Sequence, residues 1–235
     1  MSTEGSKALM AVVAMVASAA LAVTASAASL GGIGVADLFA WSSPVTISIP
    51  TPIAADEFSC AGNLDGQPDD MGNIWSDHGG DWQCLGSGVV RARQRVDHGH
   101  ATVDSLTSDA VSISAGMSDI STQSGRSGGG IAFLSDGLSH MYVVYQRDQG
   151  RVVMGKREIA VDTVVATSPI SDAGTVEITV EIDQPTVRVL VNGAPVLTHA
   201  LTLSETVMFG SNTRFGLAAD NDNSTRFDWF RGESS

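Results

Sequence analysis

Positive charge is scarce in this sequence: 13 Lys and Arg stand against 26 Asp and Glu, a formal net charge of −13 over 235 residues. So acidic a surface repels phosphate backbones and argues against nucleic acid as a partner. Cysteine is scarcer still, with only Cys60 and Cys84. Their spacing is not CxxC, so they carry no metal-site signature. In an exported chain the pair reads as a disulfide. It would close a loop of about 25 residues, worth about 3.5 kcal/mol in the chain-entropy account; two buried thiols are the alternative. Aromatic residues make up 6% of the chain. A sugar-stacking platform wants two or three exposed rings, whereas Trp75, Trp82, Phe133, Phe215, Phe227 and Phe230 fall in core-like patterns. From Asp56 onward there is no long segment of helical period, no Ser-His-Asp or Cys-His arrangement and no phosphate-binding loop.

What the chain does contain is clearest from Thr175 to Pro195, TVEITVEIDQPTVRVLVNGAP. Val176, Ile178, Val180 and Ile182 alternate with Glu177, Thr179, Glu181 and Asp183, the period of a half-buried strand. Gln184 and Pro185 break the run. Val187, Val189 and Val191 restart it, and Asn192-Gly193 closes it with the signature of a type I′ hairpin turn. Two such strands with one wet face need a second layer of structure on the other.

The N-terminus reads differently. Lys7 precedes the apolar run Ala8–Val23, and Ala25-Ser26-Ala27 follows as a small-x-small site, the parts of a secretory signal peptide. Glu4 departs from a cleanly basic start. An uncleaved reading stands beside it: Ala8 to Ala28 is long enough to span a bilayer or to serve as a membrane-anchoring or self-assembly helix. The organisation expected is residues 1–27 as signal or anchor, 28–55 as an apolar and then Pro-rich linker, and 56–235 as one all-β domain. Pro44, Pro50 and Pro52 stiffen the linker, although Val45, Ile47 and Ile49 would also suit an edge strand.

Within the domain, short alternating runs separated by Gly and Ser turns predict strands at Asp56–Cys60, Trp82–Leu85, Val89–Val96, Ala101–Thr107, Ala110–Ser114, Gly130–Leu134, Met141–Arg147, Arg151–Glu158, Thr175–Ile182, Thr186–Val191, Pro195–Ala200, Arg214–Ala219 and Thr225–Arg231. Ser121–Gly130 reads as a glycine-rich loop. The pattern is that of a two-sheet antiparallel sandwich.

Particular segments carry a resemblance. Glu57-Phe58, Leu64-Asp65-Gly66, Gly72-Asn73-Ile74-Trp75 and Gly80-Asp81-Trp82 resemble the opening of bacterial and phage concanavalin A-like (laminin-G-like) jelly rolls. Gly129-Gly130-Ile131-Ala132-Phe133 and His140-Met141-Tyr142-Val143-Val144 resemble their central strand pair. Val187–Gly193, Arg214–Leu217 and Arg226–Phe230 resemble their closing strands. The resemblance implies two stacked antiparallel sheets, and it implies glycan binding on the concave face or at one rim, as in many members. Fold alone does not transfer that activity.

Four constellations invite chemistry. Related glucanases carry Glu-x-Asp-x-x-Glu, since a retaining glycosidase needs two carboxylates about 5 Å apart. Here Glu181-Ile182-Asp183 begins the motif, but Thr186 stands where the last Glu belongs, so Glu177, Glu181 and Asp183 read as a solvated face and the chain as no enzyme. Asp65 and Asp69 after the first strand, and Asp220 and Asp222 before the last, offer hard oxygens for Ca²⁺ if their loops meet; acidic turn residues also occur for backbone reasons. His98-Gly99-His100, with His78, suggests either zinc-binding imidazoles or a turn with exposed histidines. Arg91, Arg93 and Arg95 alternate as a stripe suited to an anionic sugar or cell-surface polymer, unless they pair with the acidic face. Tyr142 and Tyr145 occupy opposite faces of one strand, which predicts that one of them is exposed and available to a glycan.

Two functions therefore compete. One is an exported, non-catalytic binding module for a carbohydrate, on or released from a bacterial surface. The other is a structural subunit of a virion or surface appendage, assembled through its N-terminal helix.

Overall fold

The computed structural model describes residues 50–104, 111–123 and 127–234, all within the compact unit Ile47–Ser235. The expected signal or anchor, most of the linker and the Ala8–Ala28 helix lie outside these residues. Among the described residues no helix is long and apolar enough to cross a membrane.

The chain forms β1 (Thr51–Asp56), β2 (Ala61–Asn63), β3 (Ser76–Asp77), β4 (Trp82–Leu85), β5 (Val90–Ala92), β6 (Gly99–Asp104), β7 (Val111–Ser118), β8 (Gly128–Ser135) and β9 (His140–Gln146). There follow β10 (Arg151–Glu158), β11 (Val161–Pro169), β12 (Val176–Asp183), β13 (Thr186–Val191), β14 (Ala194–Ala200), the helix α1 (Leu203–Phe209), β15 (Arg214–Asp220) and β16 (Arg226–Ser234). One sheet runs β14-β13-β12-β7-β16-β5-β4-β2, with β1 also on β16, and has nine strands. The other runs β11-β10-β9-β8-β15-β6-β3 and has seven. All pairings are antiparallel, and this is the expected two-sheet jelly-roll sandwich.

The hairpin read from sequence is present. Val176, Ile178, Val180, Val187 and Val189 are fully buried, and Glu181 faces Arg188 across the pair at 3.9 Å. Asn192 and Gly193 take φ of 50° and 76°, the left-handed pair a type I′ turn requires. The opposing layer supplies Ile131, Phe133, Met141, Val143, Leu217 and Phe215, with Trp75 and Trp82 among the largest buried side chains. Burying each such side chain is worth about 1.5–3 kcal/mol. Cys60 and Cys84 are bonded, tying the start of β2 to β4.

Several boundaries differ from expectation. β1 opens at Thr51, inside the expected linker, and β11 was not anticipated, because its apolar residues, Val161 and then Val164-Val165-Ala166 in succession, do not alternate with polar ones. The expected 121–130 loop gives its last three residues to β8; residues 124–126 lie outside the described ones. A short helix also appears. Thr202 and Glu205 form a reciprocal capping box at its start, which satisfies two of the donors a helix end leaves open.

β16 departs from strict alternation in a consequential way. Phe227 pairs with Met117 and Trp229 with Gly116, so Asp228 is bulged out. A bulge inserts one residue and reverses which face the next side chain takes. Phe227 and Phe230 therefore both point into the core, and Trp229 is turned to the outside, half-buried.

Candidate ligand-binding face

Over its central strands the outward face of the seven-stranded sheet is not solvated, although at its edge Val164 of β11, paired with Gly155, is exposed. β8 and β9 are buried at every position, so both of their faces are covered. Register defines two rows across this outward side. Thr102, Gly216, Ala132, Tyr142 and Gly155 form one, and His100, Ala218, Gly130, Val144 and Val153 the next. The central strands β15 and β8 contribute only Gly and Ala to these rows. Their lack of bulk leaves room for the rings carried by β6 and β9 to meet above them. The Tyr142 ring lies over Gly155, where a Cβ would stand 2.3 Å from the phenol oxygen. Ala132, Tyr142, Val144, Val153 and Ala218 form an apolar cluster separate from the main core.

The chain has five histidines, and four of them gather here. The His78 and His100 rings stack with centroids 4.8 Å apart, His100 and His140 at 3.9 Å, and His98 meets Tyr142 at 4.7 Å. His78 shares a 2.9 Å hydrogen bond with Thr102. Burial, reinforced by His78 for His100 and by His100 for His140, depresses the imidazoles to about 3 and about 2. Burial also lowers His78, helped by Arg214. A desolvated imidazolium next to another imidazole is costly, so the stack is neutral at ordinary pH. At its edge, His98 Nε2 stands 3.2 Å from Asp162 Oδ2 and 3.7 Å from Asp220 Oδ1. Arg157 donates to Asp162 and to the Asp97 carbonyl, each at 3.2 Å.

Buried side-chain atoms without a hydrogen-bond partner concentrate on this side. Among the described residues they are both ring nitrogens of His100, His140 Nδ1, Asp162 Oδ1 and, on the other sheet, Arg91 Nε. Buried polar atoms left unpaired cost about 1–3 kcal/mol each, so four of them on one face need a physical reason.

The residues singled out from sequence fare unequally. Tyr142 and Tyr145 lie on opposite faces of β9 as expected, Tyr142 outward, yet neither is exposed: Tyr142 is 3% and Tyr145 0% accessible, because β9 is buried on both faces. The arginine stripe does not form. β5 ends at Ala92, since the Arg93 and Gln94 amides turn to the Gly80 carbonyl. Arg93 then pairs with Asp81 at 3.5 Å, and Arg95 Nε donates to Asn223. Pairing with the acidic face of β12 does not occur either, as Glu181 faces Arg188 instead.

The four calcium candidates are not brought together. The Asp69 carboxylate accepts from the amides of Ala55, Met71 and Asn73, and Asp65 accepts from Asp77. Asp222 accepts from the amides of Ser224 and Thr225 and from the Thr225 hydroxyl, while Asp220 neighbours His98. β1 and β16 are neighbours as expected, but Ala55 faces Arg231, about five strand residues or roughly 16 Å from the Asp222 turn. Among the described residues no group of three or more His, Cys, Asp or Glu is arranged to hold a metal. His98, in the turn that precedes β6, and His100, on β6, are both buried rather than exposed. Stacked rings direct their nitrogen lone pairs in separate planes, which does not suit a shared zinc. His140 joins the stack from 40 residues away, and no sequence signal pointed to it.

No family model matches the chain, and no curated protein does. Solved structures do. Carbohydrate-binding module CBM66 from Bacillus subtilis is 16% identical over 73% of this chain and 98% of its own, with a TM-score of 0.49. The GH43 protein BlXynB from Bacillus licheniformis is 14% identical at a TM-score of 0.56, over 77% of this chain; this chain spans only 39% of that one. The Bacillus licheniformis beta-glucanase is 7% identical at a TM-score of 0.51, over 74% of this chain and 96% of its own. The likeness in fold rests on the last two, and with the two antiparallel sheets described above it makes this chain a concanavalin A-like jelly-roll sandwich.

Proposed function

We propose that the chain is a non-catalytic carbohydrate-binding module acting outside the cell, with the outward face of the seven-stranded sheet as its ligand face. The observation that carries this reading is the set of unpartnered buried atoms on His100, His140 and Asp162. Neutral imidazoles each offer one donor and one acceptor, and the carboxylate accepts. That set complements sugar hydroxyls and does not suit a phosphate or another anion. Tyr142 supplies an apolar ring among them. Arg157 and Asp162 keep about a fifth of their side chains open to solvent, which marks the β10–β11 edge as the way in. The Cys60–Cys84 bond fits an oxidising compartment.

Two features favour binding over hydrolysis. Glu181 and Asp183 lie on the other sheet, where Thr186 leaves their motif incomplete. The Asp162 and Asp220 carboxylates have the His98 imidazole between them, in the place where a glycosidic oxygen or water would have to sit. A glycan array with the full chain, Asp162→Asn and His100→Phe, together with an assay for released reducing ends, tests the reading. Neutral glycans should bind the parent chain, bind each variant roughly tenfold more weakly, and not be cleaved. Cleavage would make the chain a hydrolase. Absence of any glycan binding would favour the structural-subunit role.

A further inference from the structure

The outward face of the nine-stranded sheet carries a trench. On β7 the outward residues are Ser112, Ser114, Gly116 and Ser118, all small, and they form its floor. The flanking strands form its walls. Register sets Glu177 and Trp229 on either side of Gly116, Thr179 and Arg231 on either side of Ser114, and Glu181 and Glu233 on either side of Ser112. Two strand spacings separate the walls, about 9.6 Å. A cavity of about 350 Å³ lies at the Trp229 end, reached also by Glu57. A second of about 170 Å³ adjoins it at Glu233 and reaches Glu181 and Asp183.

The floor is fitted to the ring. A Cβ on Gly116 would stand 2.2 Å from Trp229 Nε1 and 2.6 Å from Cε2, so the indole rests directly on the β7 backbone, and the bulge at Asp228 turns it to that side. Trp75 and Trp82 are buried, whereas Trp229 keeps part of its ring open to solvent. Around the larger cavity three carboxylates, Glu57, Glu177 and Glu233, face one guanidinium, Arg231, and none of the four is in an ion pair within 4.0 Å among the described residues. Two negative charges are thus left uncompensated beside an aromatic face. An aromatic face attracts a cation, and the carboxylates add to that attraction.

We infer that this trench is a second binding site, distinct from the histidine face, and that it takes a cationic glycan, a chain of sugars carrying free amines. Trp229 stacks on a sugar ring, the carboxylates hold ammonium groups, and Ser114 meets hydroxyls. A basic peptide fits less well. β7 is already paired on both sides by β12 and β16, so a peptide laid along it would find no backbone partners, whereas a sugar chain needs none.

The test uses the full chain and a fully deacetylated glucosamine oligomer, at a pH where amines are protonated and carboxylates ionised, followed by titration calorimetry and tryptophan fluorescence. The oligomer should bind, shift the emission, and bind more weakly as salt rises, because exposed charges are screened. Trp229→Ala should weaken it roughly tenfold. The double change Glu177→Gln and Glu233→Gln, isosteric and outward-facing, should do the same with an unchanged melting temperature, so a folding defect in one variant leaves the other to decide. The N-acetylated oligomer should bind about fivefold more weakly than the amine form, or more where several ammonium groups are held. No binding, equal binding of the acetylated form, or indifference to both variants would overturn the inference. Oligolysine binding as tightly, with the same dependence on Trp229, would replace the glycan with a basic peptide. Binding of neutral glycans through His100 should be unchanged by Trp229→Ala, which separates failure here from failure of the histidine face.

Discussion

The two outward faces of this sandwich solve opposite problems. On the nine-stranded sheet, β12 alternates Val176, Ile178 and Val180 with Glu177, Thr179 and Glu181, and the second set meets water. On the seven-stranded sheet, β8 and β9 have no exposed position at all, and polar side chains such as His100 and His140 are as buried as core valines. A solvated face tolerates almost any polar residue, since water satisfies it. A covered face must satisfy each polar atom or leave it for a ligand, so its residues say more about function.

The largest difference between the faces should appear on acidification. His100 and His140 titrate near 6.5 when unfolded but at about 3 and about 2 when folded. Between those values the unfolded chain binds protons that the folded chain refuses. The stability these groups contribute is complete above about pH 6.5 and is lost as pH falls towards the folded values, by about 1.4 kcal/mol per pH unit for each group. At about pH 5 each should cost about 2 kcal/mol. Urea melts from neutral to acid pH should show this slope, and His140→Phe should remove about half of it. An unchanged slope would mean that the stack is hydrated and that the faces differ less than their burial suggests.

Next in size is a contrast between two glycines. A Cβ on Gly216 would stand 2.0 Å from the Ala101 carbonyl oxygen, which is backbone, whereas the nearest atoms to a Cβ on Gly116 belong to the Trp229 side chain. Gly216→Ala should therefore cost about 3 kcal/mol or more. Gly116→Ala should cost about 1 kcal/mol while displacing Trp229 and shifting its fluorescence. Equal costs in thermal melts would dissolve the distinction. The smallest effect belongs to the Glu181 and Arg188 pair at 3.9 Å, both substantially exposed. Arg188→Ala should change stability by less than about 0.5 kcal/mol, and a larger loss would mean that this face is less solvated than it looks.

Much of the nine-stranded sheet was legible in the sequence because one of its faces is wet. The hairpin of β12 and β13 announces itself through alternation and Asn192-Gly193. The histidine face was not legible in the same way. Its central strands, buried on both sides, lose the period that tells inside from outside, and of Tyr142 and Tyr145, one of which is expected to be exposed, neither is. Arg91, Arg93 and Arg95 alternate in sequence, but alternation implies a shared face only while the strand continues, and the turn at Gly80 ends β5 first. Trp229 was hidden for the opposite reason: Phe227 and Phe230 are both core residues, and only a bulge between them makes that possible.

What the sequence determined by itself is the class of fold, an antiparallel sandwich whose acidic surface is a poor partner for polyanions, because hydrophobic period, turn chemistry and net charge are local or summed properties. It left Cys60 and Cys84 as either a disulfide or two buried thiols, and the structure bonds them. The tertiary structure alone decided which polar residues meet. His140 reaches His100 over a part of the sheet where β15 and β8 present Gly216, Ala218, Gly130 and Ala132 outward, and Trp229 faces outward because one residue is bulged from β16. Both facts depend on register between strands distant in sequence, which no local pattern encodes.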